Sequence, residues 1–590
     1  MSEATAAVVD DPNIDAPTRL SRMVERGNAD GMEELLAQVH ERLGSAIAVI
    51  DGPLMSGINR VGVLFGEGKL FLPQVVKSAR TMKQAVSWLN PYIEKERGGE
   101  ARNAGRVVIA TVKGDVHDIG KNIVAVVLRC NGYEVTDLGV MVPGEEIIAR
   151  AKAIKADVVA LSGLITPSLE EMRKVAAMMQ SEGMTIPLMV GGATTSEAHT
   201  AVVIAPEYQG LVLHTRDAAS MPGVAQKAIS GDAEFAAKWR ERQEQLRTDY
   251  RRKKNLLSLS EARQHRLCLQ FAPHRPAQLG IGRATITVKE ARELINWRAF
   301  FAAWGFGGEF AKVAEITGCD CCRASWLSAM PHDQLAKASE AMQLYKEANR
   351  ALDRFEHRAN HSIQAIYGLW EANSDGDDII IDNRLRLATL RSQELDADGN
   401  TISLSDFVAP KESGVIDYIG TFAVTAGAEI AAMIEENKTS GEDYRVILYQ
   451  TLSDRLAEAA TELLHSRIRN TYWGYTYDVA EIENPRHLLR QYYKGIRPAV
   501  GYPSLPDQSE IFDIDSIMPL GSIGISLTEN GAMSPAASTC GLIIAHPESR
   551  YFTLGPIGDD QADDYQRRRA KAREVNPTAE TNSAQTDISK

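Results

Sequence analysis

The feature that most constrains this chain is the alternation of short apolar runs with longer helical segments between residues 106 and 213. Short apolar runs bounded by loops are typical of fully buried strands. Strands that alternate with helices form a parallel, doubly wound sheet, which binds its ligands at the carboxyl ends of the strands. The predicted strands are 107–112, 133–138, 157–162, 187–190 and 211–213, and the predicted helices are 119–131, 144–154 and 168–181.

The segments on either side of this sheet have different patterns, and a chain of 590 residues is long enough for several domains. Before the sheet, apolar side chains recur at a helical period, which predicts a small helical bundle. After it, long helices mix with β-like runs, which predicts an α+β domain. The predicted organisation is a disordered lead-in (1–18), a helical bundle (19–100), the sheet domain (101–232), a linker (233–275), the α+β domain (276–575) and a disordered tail (576–590).

Composition and charge exclude several functional classes. A net charge of −13 argues against a nucleic-acid partner. No run of eighteen apolar residues is present, and the acidic N-terminus lacks a signal-peptide core, so we expect no membrane span. Six unevenly spread cysteines argue against a disulfide framework. We therefore expect a cytoplasmic protein.

The loop after the first predicted strand has the pattern Asp-x-His-x-x-Gly, formed by Asp115, His117 and Gly120. By itself this hexamer is equally consistent with a turn whose Asp caps a helix. Residues 121–161 separate it from Ser162-Gly163-Leu164, and residues 165–190 separate Leu164 from Gly191-Gly192. The three parts and their spacing resemble the signature of the cobalamin-binding domain family, whose fold is flavodoxin-like.

This resemblance implies a role for each residue of the loop. His117 would bind the cobalt of cobalamin in place of the cofactor's own benzimidazole, since neutral imidazole is a good ligand for such a metal. Asp115 would hold the other ring nitrogen, and Ser168 would complete the relay; these three are the predicted catalytic residues. The other implied cofactor-binding positions in this domain, several of them small because backbone and cofactor meet there, are Gly114, Val116, Asp118, Gly120, Ser162, Thr166, Gly191, Gly192 and Ala218.

The segment before the sheet, from Asp51 to Ala79, resembles the four-helix cap of methionine synthase and of corrinoid methyl-carrier proteins. In that family an aromatic and two aliphatic side chains shield the methyl group on the upper face of the corrin. The matching residues are Phe65, Leu72 and Val75, although any one of them could equally be bundle core. Asp51 stands where the family usually has Glu.

The C-terminal region contains Gly495–Pro503 and His546–Phe552, which resemble the activation domain of cobalamin-dependent methionine synthase. That domain binds S-adenosylmethionine, whose methyl group, with an electron from a flavodoxin-type partner, restores methylcobalamin. Arg497 suits a ligand carboxylate because its planar fork can bind both oxygens. The ligand positions implied by the resemblance are Arg497, Ala499, Tyr502, Tyr551 and Phe552.

Two positions depart from the family pattern. Asn296 stands where the family has an Asp that contacts the ligand, and we keep Asn296 as a candidate ligand position. Gln491 stands where the family has a Glu. The loss of two carboxylates predicts weaker attraction for the cationic sulfonium. Asp454 and Glu458 do match family carboxylates, and we hypothesise that Asp454 accepts His117 when that histidine leaves cobalt.

A cluster of Cys319, Cys321 and Cys322 has no evident fourth ligand nearby. Because a structural zinc site needs four ligands, incidental cysteines are the favoured interpretation and a metal role the alternative.

The resemblance covers about residues 19–575 and only the second half of the family's architecture. The family's two barrel domains, one with zinc for homocysteine and one for methyltetrahydrofolate, do not fit before residue 19. The chain is therefore either a fragment or one subunit of a split enzyme; we expect the barrels to be needed in trans, and expect zinc only there. The predicted function is the cobalamin-carrying and reactivating part of methionine synthase, with methyl transfer from methyltetrahydrofolate to homocysteine through methylcobalamin.

The main alternative is a non-catalytic corrinoid carrier that serves a separate methyltransferase. The helical cap argues against an adenosylcobalamin mutase subunit. The long C-terminal region argues against a cobalamin-dependent sensor.

Overall fold

The computed structural model describes residues 14–67, 69–96, 104–215, 218, 220–251, 256–316, 320–476, 485–490 and 493–575. Within these ranges the predicted fold class is confirmed: a helical unit, a five-stranded parallel sheet, and an α+β unit built on an antiparallel sheet. The predicted disordered tail, and most of the predicted lead-in, lie outside the described residues.

The N-terminal unit, called the cap below, is a bundle whose longest helix packs on the sheet domain. Between Val49 and Met55 the chain stays helical through a π-helical turn, Ile50–Leu54, because Pro53 cannot donate the hydrogen bond that an α-helix requires there. The cap helices are α1 (Ala16–Arg26), α2 (Met32–Leu43), α3 (Ala46–Val49), α4 (Met55–Gly66) and α5 (Leu72–Glu96).

The continuous helical stretch Ala46–Phe65 is apolar and long enough to cross a membrane, by a test that core helices of soluble proteins also pass. The cap core buries five of its apolar side chains: Ala46, Val49, Leu54, Ile58 and Val61.

The middle unit confirms the doubly wound sheet. Its five strands run in the order β2-β1-β3-β4-β5 and all neighbours are parallel, so that their carboxyl ends meet along one edge. The strands are β1 (Arg106–Thr111), β2 (Glu134–Asp137), β3 (Val158–Ser162), β4 (Leu188–Gly191) and β5 (Val212–His214). The helices are α6 (Ile119–Cys130), α7 (Gly144–Ala153), α8 (Thr166–Ser181), α9 (Glu197–His199) and α10 (Met221–Ile229), with a π-helical turn at Thr200–Ile204 and a 3₁₀ turn at Ala205–Glu207.

Helix α11 (Ala233–Arg251) follows the sheet and packs against it. Phe235 and Trp239 contact the core on one face of the sheet, and the side-chain amide of Gln243 donates to the Val212 carbonyl at 2.9 Å. The short helix α12 (Leu259–Gln264) then leads into the last unit.

The C-terminal unit is built on an antiparallel sheet in the order β13-β10-β7-β8-β9, with β6 also paired to β7. Its strands are β6 (Gly280–Thr285), β7 (Gln364–Asp375), β8 (Asp378–Ile381), β9 (Leu385–Ala388), β10 (Asp417–Thr425) and β13 (Ser538–Ile543), and the pair β11 (Ser526–Leu527) and β12 (Met533–Ser534) stands apart. Its helices are α13 (Val288–Arg292), α14 (Trp297–Ala303), α15 (Asp320–Ser328), α16 (Leu335–Ala359), α17 (Ala428–Thr439), α18 (Asp443–Arg467), α19 (Glu510–Ile517) and α20 (Asp559–Val575).

Further single helical turns connect these elements. They lie at Gly308–Ala314, Leu404–Phe407, Lys411–Ser413, Ile468–Tyr472, Pro485–Arg490 and Leu520–Ile523.

The C-terminal unit contacts the cap through ion pairs along helix α5. The Lys77 ammonium lies 3.0 Å from a Glu347 oxygen, and the Arg80 guanidinium lies 2.8 Å from a Glu442 oxygen. Positive side chains on the cap thus face acidic side chains of the C-terminal unit. The cap is consequently docked beside the sheet domain, on α6, with the C-terminal unit against its other side.

Candidate functional site

The loop between β1 and α6 places His117, Asp115 and Ser168 in one hydrogen-bonded chain. The Nδ1 atom of His117 lies 2.7 Å from Asp115 Oδ1, and the Ser168 hydroxyl donates to Asp115 Oδ2 at 2.6 Å. The backbone N–H of Leu164 donates to the same Oδ2 at 2.6 Å. Asp115 and Ser168 are fully buried, whereas the His117 ring is partly exposed. The geometry therefore brings together the three residues that the sequence placed in a relay.

The charge state of Asp115 decides which nitrogen of His117 is available. Burial acts to raise the pKa of Asp115, but the hydrogen bonds from His117, Ser168 and Leu164 outweigh it and lower that pKa to about 2. An ionised carboxylate only accepts, so Nδ1 of His117 carries the proton. Nε2 is then the ring nitrogen left to bind a metal, and the loop presents it at the carboxyl end of the sheet.

Glycines shape the space around this loop in two different ways. Gly192 has φ 130°, and a Cβ there would stand 1.8 Å from the Gly163 carbonyl oxygen, so this glycine is required by the backbone itself. A Cβ at Gly120 would meet nothing within 4 Å. Gly120 instead lines a cavity, so a side chain at this position would project into it.

That cavity, called the slot below, has a volume of about 650 Å³ and runs along the sheet beside α6. Of the predicted cofactor-binding residues, Gly120, Ser162, Gly191, Gly192 and Ala218 line it. Apolar strand side chains such as Ile109 and Ala160 form its floor. An apolar cavity with glycines in its walls can accommodate the tail of a large cofactor.

The remaining predicted residues of this domain lie in or near the loop. Gly114 has φ 75° and its carbonyl accepts from the Thr528 hydroxyl at 2.8 Å. Val116 is half-buried beside His117, and Thr166 is exposed at the first turn of α8. Asp118 is buried and binds side chains of the C-terminal unit.

The predicted shielding residues of the cap lie against the slot in this arrangement. Phe65 and Leu72 line the slot, and Val75 is buried in the cap core, where its carbonyl accepts from the Cys130 thiol at 3.8 Å. Asp51 lies in the π-helical turn, and its side chain is outside the described part of the structure. The structure thus shows the cap in a docked position beside the sheet.

The C-terminal unit, rather than the cap, covers the His117 loop. The side-chain amide of Gln450 donates to Asp118 at 2.6 Å, and the Lys438 ammonium lies 2.9 Å from the same carboxylate. Asp454, one helical turn beyond Gln450, interacts electrostatically with His117, and burial raises the pKa of Asp454 to about 6. Helix α18 therefore presents a carboxylate toward the imidazole.

A second cavity, of about 520 Å³, lies within the C-terminal unit. Arg497, Ala499, Tyr502, Tyr551 and Phe552, the five positions predicted in the two C-terminal segments, all line it. Glu458 lines it as well. Residues that are far apart in the sequence therefore form one small-molecule cavity.

Arg497 is the charged anchor of the second cavity. Its guanidinium is paired with the buried carboxylate of Glu462 at 2.5 Å, and its backbone N–H donates to the Tyr551 hydroxyl at 3.0 Å. The Nε atom of Arg497 and Nδ1 of the neighbouring His465 are buried without hydrogen-bond partners in the described structure. Burial, with the nearby Arg469 and Arg497, lowers the pKa of His465, which keeps that ring neutral. An arginine with donors left over can bind a ligand carboxylate.

Asn296 lies apart from this cavity. It is exposed and caps helix α14 by accepting the Ala299 N–H at 3.0 Å, so its ligand role stays a prediction. Gln491 and Cys319, and the side chain of Cys321, lie outside the described residues, and Cys322 is exposed. Among described residues no cluster of three or more potential metal-ligating side chains occurs.

Sequence reasoning missed the residues through which the units contact each other. Gln450 and Lys438 contact the His117 loop, Glu462 pairs with Arg497, and Trp304 and Lys337 line the slot. Each is an ordinary helix or loop residue in the sequence, far from any motif. No local signal distinguishes them, because their role depends on the packing of one unit against another.

Comparisons with known proteins support this division of the chain. Residues 18–90 and 105–209 match two models of B12 binding domains, and residues 287–570 match the activation domain of vitamin B12 dependent methionine synthase. The chain is 32% identical to the crystal structure of the MetH reactivation domain bound to AdoHcy, with 55% of this chain and 99% of that chain covered and a TM-score of 0.47.

Two further solved structures match a smaller share of the chain at lower identity. The methanol:cobalamin methyltransferase complex MtaBC from Methanosarcina barkeri is 28% identical over 40% of this chain and 94% of that chain, with a TM-score of 0.35. A cobalamin-binding protein from Desulfitobacterium hafniense DCB-2 is 26% identical over 36% of this chain and 98% of that chain, with a TM-score of 0.28. The chain belongs to the cobalamin-dependent methionine synthase family, as a cobalamin-carrying methyltransferase component with a reactivation unit.

Proposed function

We propose that this member of the methionine synthase family carries a methyl group on cobalamin bound at His117, on its way from methyltetrahydrofolate to homocysteine. Its C-terminal unit would repair the cofactor with S-adenosylmethionine. The observation that carries the proposal is the buried relay from Ser168 through Asp115 to His117, which leaves Nε2 as the ring nitrogen available to a metal. A structural histidine would not need an ionised, fully buried carboxylate held by five donors.

The chain's own residues hold and tune the ligand nitrogen. Asp115 fixes the orientation of the imidazole and makes Nε2 more basic, while Ser168 and the Leu164 N–H hold Asp115 in place. When bound, cobalamin supplies a cobalt centre that can accept and donate a methyl group. The slot between the sheet and α6 receives the tail of the cofactor, since Gly120, Gly191 and Gly192 keep it open.

The arrangement of the units supports a role of this state in reactivation. Helix α18 lies over the His117 loop, and the raised pKa of Asp454, about 6, lets this carboxyl group share a proton with a nearby imidazole. We infer that Asp454 receives the His117 side chain when it leaves the metal. The Arg497 cavity would hold the carboxylate of S-adenosylmethionine through the unpaired guanidinium donors.

Methyl transfer to and from the substrates requires a second arrangement. Phe65, Leu72 and Val75 lie beside the sheet here, so we propose that the cap moves onto the His117 face to shield the methyl group between turnovers. Barrel domains for homocysteine, with their zinc, and for methyltetrahydrofolate would act together with this chain, in cis or in trans. A flavodoxin-type protein of the cytoplasm would supply the electron.

The proposal is tested by the absorption spectrum of the protein loaded with methylcobalamin. The wild type should show the spectrum of nitrogen-coordinated cobalt, and His117→Gly should show the spectrum of the base-off cofactor. The control, His332→Gly, removes an exposed histidine far from the loop and should match the wild type. Identical spectra for wild type and His117→Gly would refute the coordination by His117.

A corrinoid carrier for a different methyltransferase is the second candidate. It is favoured by the sequence departures at Asn296 and Gln491, which remove carboxylates that the family uses. Titration calorimetry with S-adenosylmethionine distinguishes the two: saturable binding that Arg497→Met abolishes supports reactivation, and no binding supports the simple carrier.

A further inference from the structure

All three units of the chain meet around the slot. The sheet domain supplies its floor, the cap supplies Phe65 and Leu70–Leu72, and the C-terminal unit supplies Ala302–Gly305 and Lys337. Phe71 of the cap also contacts Phe306 of the C-terminal unit, with ring centroids 5.8 Å apart. The mouth of a cavity in one domain is therefore built by the other two.

Two polar groups of the C-terminal unit line the slot without a conventional partner. Trp304 is 1% exposed, and its indole N–H makes no hydrogen bond in the described structure. A buried, unsatisfied donor costs free energy unless a ligand accepts its hydrogen bond. The indole therefore marks this wall as a surface that binds an acceptor.

Lys337 supplies the charge at the same wall. Its ammonium lies 5.6 Å from the centroid of the Phe71 ring and 5.4 Å from that of the Phe310 ring, so two aromatic faces hold it. Among the residues that the structure describes, no carboxylate is paired with it. The aromatic contacts position a cation at the slot while leaving its charge uncompensated.

The chemistry of the slot fits a ligand with two parts. Its apolar walls, formed by residues such as Ile109, Val124 and Ala160, suit a flat aromatic base. The Trp304 indole N–H and the Lys337 ammonium suit an anionic, oxygen-rich group such as a phosphodiester. An aromatic base joined to a phosphodiester is the composition of the nucleotide tail of cobalamin.

We propose that Lys337 and Trp304 are positioning residues for the nucleotide tail, so that the C-terminal unit takes part in recognising the tail of the cofactor. This inference rests on the proposed cobalamin function. Because Phe71 helps to hold Lys337, the contact exists only when the cap and the C-terminal unit are docked as observed. Tail binding and docking of the units therefore stabilise each other.

The test compares hydroxocobalamin with aquacobinamide, a corrinoid without the nucleotide tail, as ligands of the full chain. Dissociation constants are measured by equilibrium dialysis for wild type, Lys337→Met and Lys289→Met. Lys337→Met keeps the aliphatic stem and removes the charge, and Lys289 is an exposed lysine on α13. We expect Lys337→Met to weaken hydroxocobalamin binding about 5- to 10-fold, as for the loss of one charge-assisted contact. Aquacobinamide binding should stay unchanged, and Lys289→Met should match the wild type.

Trp304→Phe provides a second variant, which keeps an aromatic ring and removes the donor. It should also weaken hydroxocobalamin selectively, by about 3- to 10-fold. Equal weakening of both corrinoids, or no weakening by either variant, would overturn the assignment to the tail. If wild type bound neither corrinoid, the cobalamin function itself would fail, which is a different result from a lost tail preference.

Discussion

Buried polar groups are hydrogen-bonded to different extents in the His117 loop and in the Arg497 cavity. Around His117 the buried carboxylate of Asp115 is fully partnered: it accepts from the His117 ring, the Ser168 hydroxyl and the backbone N–H of Leu164. Around Arg497 the guanidinium has one carboxylate partner, Glu462, and a buried Nε without any. The first site is complete before its ligand binds, whereas the second depends on a ligand to satisfy it.

The difference is consistent with the lifetime of each ligand. A cofactor that stays bound needs a ligand nitrogen whose orientation is already fixed, so the hydrogen bonds that fix this nitrogen come from the protein. A methyl donor that is used occasionally must enter and leave. A cavity with an unsatisfied donor gains free energy on binding, when a ligand accepts the hydrogen bond that the Nε atom of Arg497 lacks.

Removal of Arg497 should have the largest effect. Arg497→Met leaves Glu462 buried and unpaired, which should cost about 3–5 kcal/mol in the free energy of unfolding. Affinity for S-adenosylmethionine should fall at least about 100-fold because the carboxylate contact is lost. Denaturant unfolding and calorimetry measure the two effects.

The double variant Arg497→Met/Glu462→Gln is the control for this prediction. It should recover most of the stability without recovering affinity. Unchanged affinity in either variant would show that Arg497 does not anchor the ligand.

Acid should destabilise the His117 site through Asp115. The folded pKa of about 2 lies below the unfolded value of about 3.9, so the carboxylate contributes about 2–3 kcal/mol above pH 4. That contribution is lost progressively as the pH falls through about 4 toward 2. We expect the difference in the free energy of unfolding between wild type and Asp115→Asn to shrink over this range. A constant difference would contradict the prediction.

Asp115→Asn should also weaken cobalamin binding about 10- to 100-fold, the usual cost of losing a carboxylate behind a ligating histidine. Equilibrium dialysis with hydroxocobalamin measures it. Asp157→Asn is the matched control, because Asp157 accepts from the Arg106 backbone N–H at the opposite end of the sheet. Equal losses in both variants would indicate a general destabilisation instead.

The smallest effect is expected from Gly120→Ala. A Cβ there meets nothing, so the helix should gain up to about 1 kcal/mol of stability. Because the methyl group projects into the slot, cobalamin affinity should fall by less than about 10-fold. Gly192→Ala should instead unfold the domain at lower denaturant, since its Cβ would overlap the Gly163 carbonyl; similar stability for both variants would contradict the geometry.

The sequence allowed prediction of the sheet domain almost to the residue. Predicted strand 157–162 is observed at Val158–Ser162, and predicted helix 119–131 at Ile119–Cys130. Both signals are local. A strand that is buried on both faces of its sheet needs a continuous apolar run, and the turn from a loop into a helix needs particular residue types. Asp115 and His117 share one turn, but the hexamer alone did not single them out; the resemblance to the spaced family signature did.

The tertiary structure alone decided which residues complete the sites. Glu462 reaches Arg497 from helix α18, and Trp304 and Lys337 reach the slot from a different unit. The position of the cap, with Phe65 against the slot, also depends on ion pairs such as Lys77 with Glu347. Contacts between units join residues with no sequence periodicity in common, so local patterns carry no information about them. The chain's sequence therefore determined the ligand-bearing loop, and the packing of three units determined what surrounds it.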